Sequence, residues 1–403
     1  MRAIVVGAGF AGLSAAEALR RAGVDVVVLE ARDRVGGRVW SRTLQNGAVV
    51  EMGAEFILPG NTVITGLADR FGIGLWSKGM RYGDREPRGG SGVDRPTQLA
   101  AVEAVRDVLA GRAEGAPPFS AAELLDSLDI DPGAREAIRA RLEVSTANVA
   151  EAVDAAALAD IAAHGEDECP SVAGGNQGVA LALARELGAA VHLSSPVERV
   201  VRDAAGVRVT AGRAEVTGDV ALIAVPASVI GRIAFEPALP QDTARALAGV
   251  VYGHAAKLFV PLRETPPPSA VLSVPERYWT WTATGARSAV QPVVHAFAGS
   301  APSLAALRVE EGPETWLASV ERLRPELELD RDGALLSTWD DDPWVGAAYS
   351  TRGPAGADGD ALARPVGPLH FCGEHTAGGW AALMEGALRS GLRAAGEVLS
   401  RRP

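Results

Sequence analysis

The chain has 403 residues, of which 47% are hydrophobic, so it is long enough for two domains with a sizeable core. Its net charge of -11 argues against a nucleic-acid-binding protein, which would carry a basic face. The chain has only two cysteines, no apolar run near the roughly 20 residues of a membrane helix and no leader-like N terminus, which indicates a cytoplasmic protein that makes no membrane contact.

The first thirty residues contain a nucleotide-binding pattern. An apolar run at 3–6 leads directly into a glycine-rich turn, a helical pattern follows, and a second apolar run at 24–29 ends in Glu30. In such a βαβ unit the glycines permit a tight turn, close approach of a pyrophosphate and close packing of the helix, and the acid binds ribose hydroxyls. We therefore expect a Rossmann-type dinucleotide site with its glycines at Gly7, Gly9 and Gly12.

The segment after Glu30 distinguishes FAD from NAD. Residues 34–38 read Arg-Val-Gly-Gly-Arg, in which the backbone of Gly36 and Gly37 and the guanidinium of Arg38 can bind phosphate oxygens. This element resembles the Arg-x-Gly-Gly-Arg element of the flavin amine oxidase superfamily, which includes monoamine and polyamine oxidases and binds FAD through it. The resemblance implies FAD as the cofactor. FAD should be bound non-covalently, since Ala348 stands where some members of the family carry the cysteine that forms a covalent bond to the flavin.

The strand pattern at 49–57 continues into a segment of different character. In the family the pair Gly53 and Ala54 passes against the flavin, and Glu55 would lie near the edge of its ring. Residues 61–161 then show helical patterns around a loop at 81–96 that is rich in Gly, Pro and charge. We interpret this region as a mostly helical insertion that covers the active site.

Strand patterns at 190–225 return the chain to the nucleotide domain, where Val197 matches the family's backbone contact to adenine. Long apolar strands from about residue 235 indicate a second domain. Lys257, one of only two lysines in the chain, lies within the apolar strand Ala-Ala-Lys-Leu-Phe-Val. A buried ammonium requires a partner or a lowered pKa, and the matching lysine of the amine oxidases holds a water against flavin N5. A lysine that reaches solvent from an edge strand is the alternative.

The C-terminal region resembles the closing FAD motif of the family. Glu374, preceded by Gly373, would contact the ribityl chain or the pyrophosphate, and the helix from Met384 would direct its N terminus at the N1–O2 edge of the flavin. Tyr349 matches one wall of the aromatic cage around the substrate nitrogen. The further cofactor contacts that the resemblance implies are Ala11, Ala31, Arg32, Trp339, Ala382 and Leu383.

The expected substrate pocket would contain Phe56 and Tyr349. It departs from the family pattern at one position. Monoamine oxidases have an aromatic residue as the second cage wall, but this chain has Leu383 there. A nearby tryptophan could replace it, although tryptophans in strands are commonly core residues. The candidates for this role are Trp279, Trp281 and Trp380.

The sequence has no arginine at the position where amino-acid oxidases bind the carboxylate of their substrate. This chain has Glu55 and Phe56 there, which favours a carboxylate-free amine unless Arg81 or Arg277 binds the acid from elsewhere. His295 and His375 are weak candidates for a base and fit structural roles better. No spacing typical of metal ligands or of a nucleophile triad occurs in the sequence.

Together these patterns predict an α/β plus α+β architecture. The Rossmann-type FAD-binding domain would comprise residues 1–60, 168–235 and 364–403. An inserted sheet-plus-helix substrate domain would comprise residues 61–167 and 236–363.

The predicted function is an FAD-dependent amine oxidase that transfers hydride from a small or medium amine to flavin N5 and uses O2 as the acceptor, giving H2O2. No second glycine-rich motif follows a strand, so no NAD(P)H domain is expected. We expect a monomer or homodimer. The alternatives are an amino-acid oxidase or a natural-product oxidase or desaturase of the same fold, a non-catalytic flavin-binding protein, and an NAD-dependent dehydrogenase.

Overall fold

The structure, a computed structural model, describes residues 1–112, 117–159, 167–354 and 359–401. The remaining residues lie in segments that the sequence assigns to both domains. Within the predicted substrate-domain segment 61–167 these are 113–116 and 160–166, and the others are 355–358 and 402–403.

A parallel sheet of five strands forms the centre of the nucleotide-binding part. In spatial order its strands are Leu369–Phe371, Val220–Ile223, Arg2–Val6, Asp25–Leu29 and Val191–His192. Three helices cover one face, and these are Phe10–Arg21, Gln177–Leu187 and Met384–Ser400. Alternate residues of each strand face the two sides of the sheet, and both faces are buried, which is why the strands are mostly apolar.

The opposite face of this sheet packs against a second layer. That layer is a four-stranded sheet with the order Ala214–Gly218, Gly206–Ala211, Val197–Asp203 and Ala234–Glu236. The fold also contains three two-stranded sheets. They are Ser41–Thr43 with Val49–Glu51, Leu75–Trp76 with Ser171–Val172, and Val251–Tyr252 with Ser350–Thr351. The first pair is the hairpin that Asn46-Gly47 indicates.

A six-stranded sheet forms the second large unit. Its order is Leu335–Thr338, Ala255–Pro261, Val293–Gly299, Tyr278–Thr282, Ser269–Ser273 and Glu86–Arg88. The last strand corrects the prediction that residues 81–96 form only a loop. It lies at the sheet edge and contains Pro87, which is tolerated there because an edge residue can lack a hydrogen-bonding N–H.

Helices cover both faces of the six-stranded sheet. Pro132–Thr146 packs on the face that carries Trp279 and Trp281, and Glu314–Leu323 packs on the other face. Further helices in the described part of the chain are Thr62–Arg70, Arg95–Ala110, Ala121–Ser127, Ala227–Ile230, Gln241–Ala248, Ala301–Ala306 and Gly359–Ala363. Among the described helices, none is both long enough and apolar enough to cross a membrane.

The two large sheets draw on different parts of the chain. All strands of the parallel sheet come from the segments expected to bind FAD, and all strands of the six-stranded sheet come from the segments expected to bind substrate. The exact boundaries between the two domains stay a prediction.

Candidate active site

A cavity with about 1520 Å³ of empty space, part of it open to solvent, lies where the carboxyl ends of the parallel strands face the six-stranded sheet. Ligands of open α/β sheets bind at this edge. Most residues predicted for cofactor binding line the cavity. They are Gly7, Gly9, Ala11, Glu30, Ala31, Arg32, Gly36, Gly37, Arg38, Gly53, Ala54, Val197, Trp339, Gly373, Glu374, Ala382, Leu383 and Met384. Both residues predicted to be catalytic, Lys257 and Tyr349, line it too.

The glycine-rich turn presents a helix N terminus to this cavity. The helix begins at Phe10, inside the glycine-rich turn, and its N-cap residue Gly9 provides no side-chain acceptor for the first N–H groups. A Cβ on Gly9 would meet no atom within 4 Å, whereas a Cβ on Gly12 would lie 1.9 Å from the carbonyl oxygen of Gly7. Gly12 is therefore outside the lining and serves packing, and the open turn is suited to an anion such as a pyrophosphate.

Glu30 lies at the end of its strand, beside the turn. Its carboxylate accepts hydrogen bonds from the backbone N–H of Ala8 at 2.6 Å and of Arg32 at 2.9 Å. Burial raises the pKa of Glu30, and these two hydrogen bonds offset part of the rise. The Arg32 guanidinium forms two bonds of 2.7 Å to Asp342, a residue that sequence reasoning did not single out.

An ion pair joins the N-terminal and C-terminal motifs. Arg38 Nη1 lies 3.0 Å from Glu374 Oε1, and the Glu374 carboxylate also accepts hydrogen bonds from the N–H groups of Ser350 and Ala382. Burial alone would raise the pKa of Glu374, but the Arg38 charge and the hydrogen bonds from the Ser350 hydroxyl and the Ala382 N–H outweigh it, so the pKa lies below its ordinary value. Two motifs more than 300 positions apart thus meet at one wall of the cavity.

Lys257 is buried, and so is the only other lysine of the chain. The Nζ atoms of Lys257 and Lys78 each lie 2.9 Å from one oxygen of the Glu55 carboxylate, and Lys257 also donates to the carbonyl oxygen of Glu51. Burial would raise the pKa of Glu55, but the Lys257 and Lys78 charges lower it well below its usual range. Lys257 is therefore a paired buried lysine and not a surface-reaching one.

The position of Glu55 differs from the expectation that it contacts the cofactor. Its side chain is 2% exposed and is absent from the cavity lining, because both oxygens face the lysine ammonium groups. Sequence reasoning missed Lys78, although its rarity was a usable signal, since lysine is otherwise represented only by Lys257.

The aromatic residues predicted for the substrate pocket divide into two sets. Phe56 packs against Trp279 and Trp281, with ring centres 5.7 and 5.6 Å away, and the two tryptophans stack on each other in a cluster that also includes the lining residue Phe297. Trp380 lies elsewhere and stacks beneath Arg389. Of the predicted pocket residues, only Tyr349 and Leu383 line the cavity itself, so none of the three tryptophans forms a second wall there.

The two candidate bases are buried histidines. Burial lowers the pKa of His295 to about 3 and that of His375 to about 4, so both rings are neutral at pH 7. His295 stacks on Trp281 with 5.0 Å between ring centres, in keeping with a core role, whereas His375 lines the cavity. In the described part of the chain, no cluster of His, Cys, Asp and Glu could hold a metal ion.

Glu51 supplies a pH-dependent contribution to stability. Its carboxylate accepts hydrogen bonds from Ser41 Oγ at 2.8 Å and Asn176 N at 2.7 Å, and burial raises its pKa to about 7. Because folding raises this pKa, the folded chain binds the proton more tightly, and stability should fall as pH rises from about 4.5 to about 7.

We expect Glu51→Gln, which keeps an acceptor for Asn176, to remove that decline. Thermal midpoints of parent and variant at about pH 5 and pH 8 test this, and identical pH profiles would assign the proton to another group.

Comparison with known proteins identifies the family. The model of the family "flavin containing amine oxidoreductase" matches residues 10–399. Putrescine oxidase of Kocuria rosea is 30% identical over 98% of this chain and 94% of its own length, and L-amino acid dehydrogenase of Synechocystis is 24% identical over 98% and 94%. The structure of a putrescine oxidase bound to putrescine superposes with a TM-score of 0.84 at 26% identity and covers all of both chains. The chain therefore belongs to the flavin-containing amine oxidoreductases and is an FAD-dependent oxidoreductase.

Proposed function

We propose that this enzyme is an amine oxidase that converts a small or medium amine to an imine and passes the electrons to O2, with release of H2O2. FAD, when bound, would accept at N5 the hydride from the carbon next to the amine nitrogen. The main support is that the nucleotide motif, the C-terminal helix, Lys257 and Tyr349 all line one cavity. The similarity to putrescine oxidase along nearly the whole chain supports the same reaction class.

The residues around the cavity suit FAD in their chemistry. The open helix N terminus at Gly9 would bind the pyrophosphate, and the Glu30 carboxylate would bind ribose hydroxyls. The helix Met384–Ser400 also begins without a side-chain cap, so its N-terminal N–H groups can favour negative charge on the flavin ring. The ion pair between Arg38 and Glu374 would hold in place the part of the cavity wall that lies between the pyrophosphate and the flavin ring.

Tyr349 would position the substrate amine. Its half-buried ring forms part of the cavity wall, while its hydroxyl donates a hydrogen bond of 2.8 Å to the Ser145 carbonyl oxygen. The phenol is thereby fixed, and its electron-rich face can attract a cationic or polarised nitrogen. Leu383 contributes only an apolar surface, and the lining also contains the aromatic residues Phe297, Trp339 and Trp344.

We expect Tyr349→Ala to lower kcat/KM for amines by about 5- to 30-fold, the equivalent of about 1–2 kcal/mol of cation–π attraction. Tyr349→Phe keeps the ring and loses only the bond to Ser145, so it should remain within about threefold of the parent. Steady-state kinetics with FAD-saturated variants measures both effects. Equal losses in the two variants would show that the hydroxyl, and not the ring, is the functional group.

A turnover assay tests the proposed function. The FAD-loaded enzyme is supplied with a panel of monoamines, diamines and amino acids while H2O2 and the carbonyl product are measured. We expect peroxide and product in equal amounts with at least one class of amine. The absence of both with every amine and amino acid would contradict the proposal and favour an oxidase or desaturase that acts on another donor.

A further inference from the structure

The loop 339–346 lies between the cavity and solvent. It directly follows the edge strand of the six-stranded sheet that ends at Thr338. Three of its residues line the cavity, and these are Trp339, Trp344 and Val345. Two others, Asp341 and Pro343, are exposed. One side of the loop therefore faces the cavity and the other side faces solvent.

Asp342 shapes the turn in this loop. Its carboxylate accepts a hydrogen bond of 2.8 Å from the N–H of Trp344, and its carbonyl oxygen accepts one of 2.9 Å from the N–H of Gly346. Pro343 restricts the backbone at the next position, and Gly346 has a φ of 63°, which favours glycine. Because the turn is held together by its own bonds, its place over the cavity depends on the contacts at its two sides.

Arg32 binds the turn from one side. Its Nη1 and Nη2 atoms each donate a bond of 2.7 Å to one oxygen of Asp342, and the two side chains are only 13% and 18% exposed. Two parallel charge-assisted bonds that are largely shielded from water are stronger than an ordinary surface ion pair. The guanidinium carbon also lies 5.8 Å from the ring centre of Trp339. Both terminal nitrogens of Arg32 are thus bound to the loop.

The helix Ala227–Ile230 and the residues after it bind the loop from the other side. Ser228 Oγ donates a hydrogen bond to the carbonyl oxygen of Val345, and Arg232 donates one to the carbonyl oxygen of Pro343. Arg232 lines the cavity, as Arg32 does. The loop therefore connects two separate parts of the cavity wall.

These two parts of the wall follow different strands of the parallel sheet. The strand Asp25–Leu29 leads to Arg32, and the strand Val220–Ile223 leads to the helix Ala227–Ile230. In the sheet these two strands lie on either side of Arg2–Val6, the strand that runs into the glycine-rich turn. The loop therefore bridges the segments on both sides of that turn.

We propose that the ion pair between Arg32 and Asp342 keeps the loop 339–346 closed over the AMP half of FAD and so determines how slowly the cofactor leaves the enzyme. The open helix N terminus at Gly9 and the carboxylate of Glu30 would hold the pyrophosphate and the ribose at this end of the cavity. FAD without a covalent bond, as Ala348 leads us to expect, can leave only when the cover opens. Arg32 and Asp342 are positioning residues in this role, which requires FAD and does not depend on the donor that reduces it.

The rate of FAD release from the holoenzyme tests this role. Diluted enzyme is followed by flavin fluorescence at a temperature well below its melting transition. We expect Asp342→Asn, which keeps an acceptor for the N–H of Trp344 but removes the charge, to release FAD about tenfold faster than the parent. Asp342→Glu retains the charge and should restore most of the slow release.

Asp340→Asn is the matched control. It removes the same charge from the same loop, but Asp340 pairs with His254, and neither residue lines the cavity. Because that pair is more exposed, release from this variant should stay within about twofold of the parent. Thermal midpoints of the FAD-free variants separate the proposed role from a purely structural one, which would lower the midpoint of Asp342→Asn and leave FAD release unchanged.

Arg32→Met tests the same pair from its other member and also serves if Asp342→Asn does not fold. We expect about tenfold faster release from Arg32→Met, and a double variant with Asp342→Asn that is no more than about twofold faster than either single variant, because the pair is already broken. Fully additive effects would overturn the proposal, since Arg32 would then bind FAD independently of the loop.

Three further results would overturn the proposal. The first is an unchanged release rate in a folded Asp342→Asn or Arg32→Met. The second is an equal acceleration in Asp340→Asn, which would assign the effect to the charge of the loop in general. The third is flavin that remains attached to the denatured protein, since a covalent bond would then retain the cofactor. FAD release is measured without an amine, so failure of the proposed oxidase activity would leave each of these outcomes decisive.

Discussion

Replacing Lys257 with methionine should slow reoxidation of the reduced enzyme by O2 about 100-fold while FAD stays bound, because a positioned charge that acts only as negative charge develops typically contributes that much. Two of the three donors on Nζ bind Glu55 and the Glu51 carbonyl oxygen, and the side chain lines the cavity. Methionine matches the length of the side chain and removes the charge. Stopped-flow mixing of the reduced enzyme with oxygen measures the rate.

Lys78→Met is the matched control for this experiment. It removes the same charge and the same 2.9 Å bond to Glu55, but Lys78 is not part of the cavity lining. Reoxidation in this variant should remain within a few-fold of the parent. A comparable loss in both variants would mean that reoxidation depends on the buried ion network as a whole, and an unchanged rate in Lys257→Met would remove the oxygen-related role altogether.

Glu55→Gln should destabilise the protein by about 3–5 kcal/mol, the usual cost of leaving a buried charge without its partner. Here the change leaves two ammonium groups, on Lys78 and Lys257, without their shared counter-charge. Because the pKa of Glu55 is lowered by folding, its contribution is fully present above the ordinary carboxyl pKa and is lost only as pH falls through the lowered value. Urea unfolding at neutral pH, followed by tryptophan fluorescence, measures the loss.

A double variant separates charge from packing in this cluster. Glu55→Gln combined with Lys78→Met retains one unpaired ammonium in place of two, so it should be more stable than Glu55→Gln alone. A double variant that is less stable than either single variant would show that shape, and not charge balance, determines the cost.

Local motifs were predictable from the sequence because their chemistry is contained in short segments. Gly7, Gly9 and Glu30 lie within one βαβ unit, and the structure places all three at the cavity. The family comparisons confirm the expected FAD and the fold class. The role of each individual site residue stays a prediction.

Long-range partners were not predictable in the same way. Glu55 reaches Lys257 across 202 positions, and no local pattern distinguishes a buried counter-ion from a cofactor contact. The strand Glu86–Arg88 has three residues and a central proline, so it carries no strand signal, and only pairing with Ser269–Ser273 reveals it.

The most direct test of the account is the visible absorption spectrum of the FAD-loaded enzyme, recorded without oxygen during titration with amines and amino acids and again after air is admitted. We predict that the oxidised flavin band bleaches with at least one such donor and returns in air. A band that no amine or amino acid bleaches would contradict the assignment of this cavity to amine oxidation.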